Sequence, residues 1–165
     1  MKPSTYRIAL SLPGSIIIMP KPSGEWLQDD MHHYRSIGID TIVSMLERDE
    51  VHELGLQDEQ IICKQNQIDF IQLAVPDRSL PAYEAFLIMM DLVVAKLKRG
   101  ETVAVHCRPG IGRSGIVVCC ALLYFGNTPE AAVEIVSKAR GVLVPDTKEQ
   151  RDFIDLFEIE LNKDV

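Results

Sequence analysis

Residues 106–115 read His-Cys-Arg-Pro-Gly-Ile-Gly-Arg-Ser-Gly and begin at the end of the apolar stretch Thr102–His106. The apolar stretch predicts a strand, and the apolar residues that follow predict a helix over Ser114–Phe125, so this segment joins a strand to a helix. In open α/β sheets, ligands bind beyond the carboxyl ends of the strands. We therefore expect the functional site at this junction.

The elements predicted on either side of this segment alternate between strands and helices. Further strands are predicted over residues 14–19, 40–46 and 68–75. Helices are predicted over residues 23–38, 47–54, 58–67, 81–99, 129–139 and 147–161. Helices between short apolar strands predict an α/β fold, with a central, mostly parallel sheet flanked by helices. The length of 165 residues suits one core, so we expect residues 1–165 to form a single domain.

The composition excludes several classes of protein. Hydrophobic residues make up 47% of the chain and charged residues 25%, which is typical of a globular domain. A net charge of -7 argues against nucleic-acid binding and against stable association with an anionic membrane. No apolar stretch approaches the roughly 20 residues of a membrane span. Pro13 and Gly14 interrupt the N-terminal apolar residues, so we read these as mature sequence and not a secretory leader.

The cysteines indicate a reducing compartment. The chain contains four of them without a Cys-x-x-Cys pair, and it is long for a disulfide scaffold. Buried small side chains are the simplest interpretation of Cys63, Cys119 and Cys120. We therefore expect a cytoplasmic protein, and we expect it to be a monomer.

The loop between strand and helix has the properties of a phosphate-binding site. Gly110 and Gly112 permit backbone conformations that direct successive N–H groups to one side, where the N-terminus of the helix adds further donors. The guanidinium group of Arg113 can bind two phosphate oxygens at once. The predicted substrate-binding residues are Arg108, Pro109, Gly110, Ile111, Gly112 and Arg113.

The same donors favour the thiolate form of Cys107, which makes it a candidate nucleophile. The reaction that this permits is attack on phosphorus with a cysteinyl-phosphate intermediate. Ser114 can donate a hydrogen bond to the thiolate when it leaves, and His106 is expected to orient the loop. Neither a metal nor a cofactor is expected, because the loop amides and Arg113 neutralise the phosphate.

This pattern resembles a known signature. Cys-x5-Arg followed by Ser and preceded by His is similar to the signature of the cysteine-dependent protein tyrosine phosphatase superfamily. Tyrosine-specific domains are larger and carry an Asn-x-x-Tyr recognition element, which we do not find. The chain therefore resembles the small atypical dual-specificity group, including domains related to the cyclin-dependent-kinase-associated phosphatase, and the fold is expected to be of that kind.

The resemblance implies roles for three residues outside the loop. Val75-Pro76-Asp77-Arg78 looks like the acid loop of the superfamily, which makes Asp77 the general acid, although Pro-Asp is also a common turn pair. Gln150 corresponds to the glutamine that positions water, although Thr147 and Gln150 also fit a capping box. Asp146 is a second candidate acid, but it lies on the wrong side of the cysteine for this superfamily. Glu47 is a candidate for an acidic group bracing Arg113, with helix capping as its alternative role.

The predicted function is hydrolysis of phosphotyrosine, and of phosphoserine and phosphothreonine, in proteins. Arg108 adds a cation beside the nucleophile, and lipid and polyphosphate phosphatases of the superfamily use such cations to hold further phosphates. A phosphoinositide or inositol phosphate is therefore an alternative substrate. A phospho-binding module with weak catalysis is a second alternative.

Overall fold

The computed structural model describes residues 1–163, so residues 164 and 165 of the predicted domain lie outside it. Within this range the chain forms one sheet and seven helices. The strands are β1 (Tyr6–Arg7), β2 (Ser15–Met19), β3 (Thr41–Ser44), β4 (Asp69–Gln72) and β5 (Thr102–His106). The helices are α1 (Leu27–Ser36), α2 (Arg48–Glu53), α3 (Glu59–Gln65), α4 (Tyr83–Lys98), α5 (Arg113–Tyr124), α6 (Pro129–Arg140) and α7 (Lys148–Lys163).

The sheet has the order β1-β2-β5-β3-β4, and all neighbouring strands run parallel except β1, which is antiparallel to β2. β5 lies in the middle, between β2 and β3. His106 at its end is level with Met19 of β2 and with Ser44 of β3. Three carboxyl ends therefore meet at one edge of the sheet, and Cys107 leaves from the centre of that edge.

Apolar side chains cover both faces of the sheet. One cluster joins Val105 of β5 to α4, α5 and α7, and it includes Phe86 and Phe157. The other cluster packs Ile42 and Ala104 against α1 and α3. Burial of one such side chain contributes about 1.5–3 kcal/mol. These two layers confirm the predicted α/β architecture with a mostly parallel sheet flanked by helices.

Helix α5 is buried on every side, because its residues from Ile116 to Leu123 are all apolar. A helix that is apolar all round belongs in a core. A Cβ atom on Gly115 would lie 2.4 Å from the Val144 side chain, so glycine lets the segment before α7 pack directly on α5. The N-terminus of α5 is thereby fixed under the loop that begins at Cys107.

The predicted order of elements is confirmed, with differences at the ends. β1 was not predicted, because two residues carry no periodicity and its pairing with Ile17 and Ile18 comes from the sheet. Pro81, expected in the first turn of α4, precedes Tyr83 by two residues, and the extended Ala82 is the N-cap. Across residues 1–163, every helix is too short or too polar to cross a membrane.

Candidate active site

The loop from Cys107 to Gly112 is shaped by a glycine that no other residue can replace without strain. Gly110 has φ +74°, a left-handed conformation that residues with a side chain rarely adopt. A Cβ atom there would lie 2.3 Å from the carbonyl oxygen of Met19. The Lys21 amide donates to the Arg108 carbonyl at 3.1 Å. The loop is therefore packed against the chain that leaves β2.

Cys107 lies at the bottom of the loop, with 1% of its surface exposed. Its sulfur is 3.2 Å from the hydroxyl of Ser114, the second residue of α5. A helix N-terminus favours a negative charge placed beside it. The structure thus brings Cys107 and Ser114 together at the position where the thiolate would be stabilised.

Arg113 is also 1% exposed, and its guanidinium group is held by several acceptors. It donates to Glu50 through both terminal nitrogens, at 2.6 and 2.9 Å, and to the Val75 carbonyl at 2.8 Å. Burial lowers the pKa of Arg113, but the hydrogen bond to Glu50 and the proximity of Cys107 raise it above its ordinary value. Arg113 is therefore a fixed cation that interacts electrostatically with Cys107.

The carboxylate that braces Arg113 belongs to Glu50 and not to Glu47. The structure shows the alternative role of Glu47, helix capping. Glu47 is the N-cap of α2, and its amide donates to Glu50 Oε1 at 3.1 Å. Burial raises the pKa of Glu50, but hydrogen bonds from Arg113 and from the Glu47 amide outweigh this and lower it below its ordinary value. The capping pattern Glu47-x-x-Glu50 accounts for Glu50 locally and therefore gave no signal of its contact with Arg113.

Asp77 lies at the mouth of the site, on the loop between β4 and α4. Its Oδ1 atom is 3.4 Å from Arg113 Nη2, and its side chain is 61% exposed. The next residue, Arg78, has φ +60° and pairs with Asp146 at 2.7 Å. The Asp146 carboxylate, the second candidate acid, is thus engaged by Arg78, and the ion pair connects the acid loop to the segment before α7.

Gln150 is buried against the loop from Cys107 to Gly112, since a Cβ atom on Gly112 would lie 2.9 Å from its Oε1. That oxygen accepts hydrogen bonds from the backbone N–H groups of Asp146 and Thr147, both at 3.1 Å. The backbone N–H of Gln150 in turn donates to the Thr147 hydroxyl. Its Nε2 donates to the Ser79 carbonyl at 3.2 Å. The structure therefore contains the capping box and also places Gln150 beside the acid loop.

His106 forms a buried pair with Glu59, a residue that the sequence did not indicate. The Nε2 atom lies 2.7 Å from Glu59 Oε2, and Nδ1 is 3.1 Å from the Cys107 carbonyl, to which it can only donate. Glu59 lies 47 residues earlier in the chain. Its acidic character at the start of α3 is ordinary for a helix, which left no local signal of this contact.

Arg140, at the end of α6, is a second residue that the sequence did not indicate. It donates to the Pro109 carbonyl at 2.9 Å and to the Gly110 carbonyl at 3.1 Å. Its guanidinium group lies 4.3 Å from the centre of the Tyr6 ring, a cation–π distance. Two consecutive carbonyls of the loop are thus held on its outer side.

Arg108 and Ile111 both point away from the centre of the loop. Arg108 Nη2 donates to Glu53 Oε2 at 3.1 Å, and its Nε is 3.5 Å from Glu50 Oε2. Ile111 packs against the apolar cluster around α5. Both side chains are therefore engaged outside the loop, Arg108 by carboxylates of α2 and Ile111 by the apolar cluster.

A family model described as the DSP-PTPase phosphatase domain of Swiss Army Knife proteins matches residues 7–152. The cyclin-dependent kinase inhibitor 3 of Rattus norvegicus is 25% identical over 137 residues, which are 82% of this chain and 65% of that protein. This chain thus spans slightly less than two thirds of that relative's length.

Solved structures share the fold. A kinase associated phosphatase with its catalytic-site cysteine replaced by serine aligns with a TM-score of 0.89 at 21% identity, covering 98% of this chain and 97% of the other. PTPMT1 in complex with PI(5)P aligns with a TM-score of 0.78 at 18% identity, covering 97% of each chain. At these identities the structural similarity establishes the architecture alone.

Proposed function

Because this chain belongs to the DSP-PTPase family of cysteine-dependent phosphatases, we propose that it hydrolyses phosphotyrosine, phosphoserine and phosphothreonine in proteins. The observation that carries this proposal is the placement of Cys107 and Arg113. Both are buried at opposite ends of one loop, and the Cys107 sulfur lies 3.2 Å from the hydroxyl of Ser114, the residue after Arg113. A nucleophile and a phosphate clamp are therefore available in one site.

In the first step, the phosphate binds to the amides of residues 108–113 and to Arg113. The Cys107 thiolate attacks phosphorus, the S–P bond forms, and the bond from phosphorus to the leaving oxygen breaks. Asp77 acts as the general acid and gives a proton to that oxygen. Its exposed position above Arg113 supports this role, because the leaving group of a bound substrate points towards the mouth.

In the second step, water attacks the phosphorus of the cysteinyl-phosphate, and Asp77 accepts the proton of the water. The S–P bond breaks, its electron pair returns to sulfur, and Ser114 donates a hydrogen bond to the thiolate. Gln150 is our candidate for holding the water. To do so, its Nε2 has to release the Ser79 carbonyl, which it binds at 3.2 Å.

A protein substrate is supported by the relatives, since one is named as an inhibitor of a cyclin-dependent kinase and another as kinase associated. The proposal takes residues 1–165 to act as a single cytoplasmic, monomeric domain, without a metal or cofactor and without stable membrane association. The Asn-x-x-Tyr recognition element is missing from the sequence. A shallower site suits phosphoserine and phosphothreonine as well as phosphotyrosine.

A phosphoinositide is the second candidate substrate. The PTPMT1 structure, which contains PI(5)P, shares this fold, and Arg108 supplies a cation next to the nucleophile. The contact of Arg108 with Glu53 argues against this candidate, because the guanidinium group is already paired with a carboxylate. We therefore rank a phosphoprotein first.

Phosphate release by the metal-free protein under reducing conditions tests the proposal. The panel contains an aryl phosphate, peptides with each phosphorylated residue, inositol phosphates and phosphoinositides, with Cys107→Ser as the control. We expect turnover of peptides that depends on Cys107, while Cys107→Ser still binds phosphate. Turnover confined to inositol compounds would favour the second candidate, and binding without any turnover would identify a phospho-binding module.

A further inference from the structure

We propose that Glu53 determines specificity, because its carboxylate occupies Arg108 and so disfavours substrates with a second anionic group beside the reacting phosphate. This inference rests on the proposed function, since it concerns the same site. It assigns to Glu53, a residue outside the phosphate-binding loop, the selection of singly phosphorylated groups.

Arg108 is a cation at the rim of the loop, directly beside the nucleophile in the chain. It follows Cys107 directly, and its backbone forms part of the loop, where its carbonyl accepts the Lys21 amide at 3.1 Å. The side chain is 38% exposed and leaves the loop towards α2. A guanidinium group at the rim of a phosphate site binds a further phosphate by the same fork geometry that binds a carboxylate.

Two carboxylates of α2, Glu50 and Glu53, contact Arg113 and Arg108. Glu50 binds Arg113 through both oxygens, while Glu53 binds Arg108 at 3.1 Å, and Glu50 also approaches Arg108 at 3.5 Å. The four groups together carry no net charge. A second phosphate that binds Arg108 therefore has to displace Glu53 from it.

The Arg113–Glu50 and Arg108–Glu53 pairs differ in how a phosphate can bind to the arginine. Arg113 is buried, and a guanidinium group has five N–H donors, so it can hold Glu50 and still bind a phosphate. Glu53 is the last residue of α2, and its side chain is 67% exposed. Exposed ion pairs contribute little to stability, so a change at Glu53 alters the charge that a ligand meets and leaves the fold intact.

Direct binding tests the inference without requiring turnover. In the Cys107→Ser background, calorimetry gives the Kd of inorganic phosphate and of inositol hexakisphosphate, with and without Glu53→Gln. We expect Glu53→Gln to lower the Kd of inositol hexakisphosphate, relative to that of phosphate, by about 3–10-fold. This is the range for one screened charge near a protein surface. Adding Arg108→Gln should abolish this gain.

Glu160→Gln is the matched control, because it also removes an exposed carboxylate that pairs with a cation, Lys163, near the end of α7. An unchanged ratio of the two Kd values in Glu53→Gln would overturn the inference. An equal change in Glu160→Gln, or a gain that persists with Arg108→Gln, would overturn it as well. Absence of turnover with the Kd shift intact contradicts hydrolysis alone, whereas turnover without the shift contradicts only the role of Glu53.

Discussion

The inner side and the rim of the phosphate-binding loop are stabilised in opposite ways. On the inner side, buried pairs join Arg113 to Glu50 and His106 to Glu59, at 2.6 and 2.7 Å. At the rim, exposed pairs join Arg108 to Glu53 and Arg78 to Asp146. Buried charges are costly to leave unpaired, whereas exposed pairs contribute little. Changes on the inner side should therefore affect stability and activity together, and changes at the rim should affect activity alone.

The largest effect is expected at the rim, from Asp77→Asn. The amide cannot donate a carboxylic proton to the leaving oxygen, so kcat for an alkyl phosphoester should fall by about 10²–10⁴. The melting temperature should stay unchanged, because the side chain is mostly exposed. Steady-state kinetics with alkyl and aryl phosphates would measure this, and undiminished turnover of the alkyl substrate would exclude Asp77 as the acid.

On the inner side, Glu50→Gln should reduce stability and phosphate affinity together. It leaves the buried guanidinium group of Arg113 without its main counter-charge. Removal of one partner of a buried ion pair lowers the free energy of unfolding by about 3 kcal/mol. Chemical denaturation and phosphate binding would be measured on the same protein. A loss of affinity without any loss of stability would break the distinction between inner side and rim.

The same residue predicts a pH dependence. The pKa of Glu50 lies below its ordinary value of 4.5 in the folded protein, so its stabilisation is fully present above about pH 4.5. That contribution to stability is lost as the pH falls through the pKa that Glu50 has in the folded protein. The free energy of unfolding should therefore decline less steeply with acid in Glu50→Gln than in the wild type, and parallel curves would contradict this.

An intermediate effect is expected from Arg140→Met, which keeps the apolar stem but removes both donors to the loop. Each lost hydrogen bond costs about 1 kcal/mol, so the loss of two should weaken phosphate binding by roughly 30-fold. Arg7→Met is the control, since Arg7 is exposed and donates to the Ile37 carbonyl. Equal weakening in both variants would show that the contacts of Arg140 with Pro109 and Gly110 do not matter.

The smallest effect is expected from the ion pair between Arg78 and Asp146. Arg78→Asp or Asp146→Arg should each lower kcat by about 2–5-fold, the range for an exposed pair, because the acid loop loses one tie to the segment before α7. The exchanged double variant should recover most of the loss, and high salt should mimic the single variants. Without recovery in the double variant, the pair has no role in positioning the loop.

Local patterns predicted the order of elements and the segment from His106 to Gly115, because strand periodicity, glycines and helix boundaries are encoded by neighbouring residues. The contacts made by Glu50, Glu59 and Arg140 were not predictable in this way. Glu59 lies 47 residues from His106, and Arg140 lies 30 residues from Gly110. Each also has an ordinary explanation at a helix end, which hides its tertiary contact.

The complete burial of α5 also has a consequence for motion. Amides in a helix enclosed on every side exchange with solvent only when the whole domain unfolds, whereas exposed loops exchange through local opening. The amides from Ile116 to Leu123 should accordingly exchange on the slowest timescale of the protein, and those of residues 77–80 on a fast one. The loop at residues 77–80 can then open and close many times while the sulfur of Cys107 keeps its place.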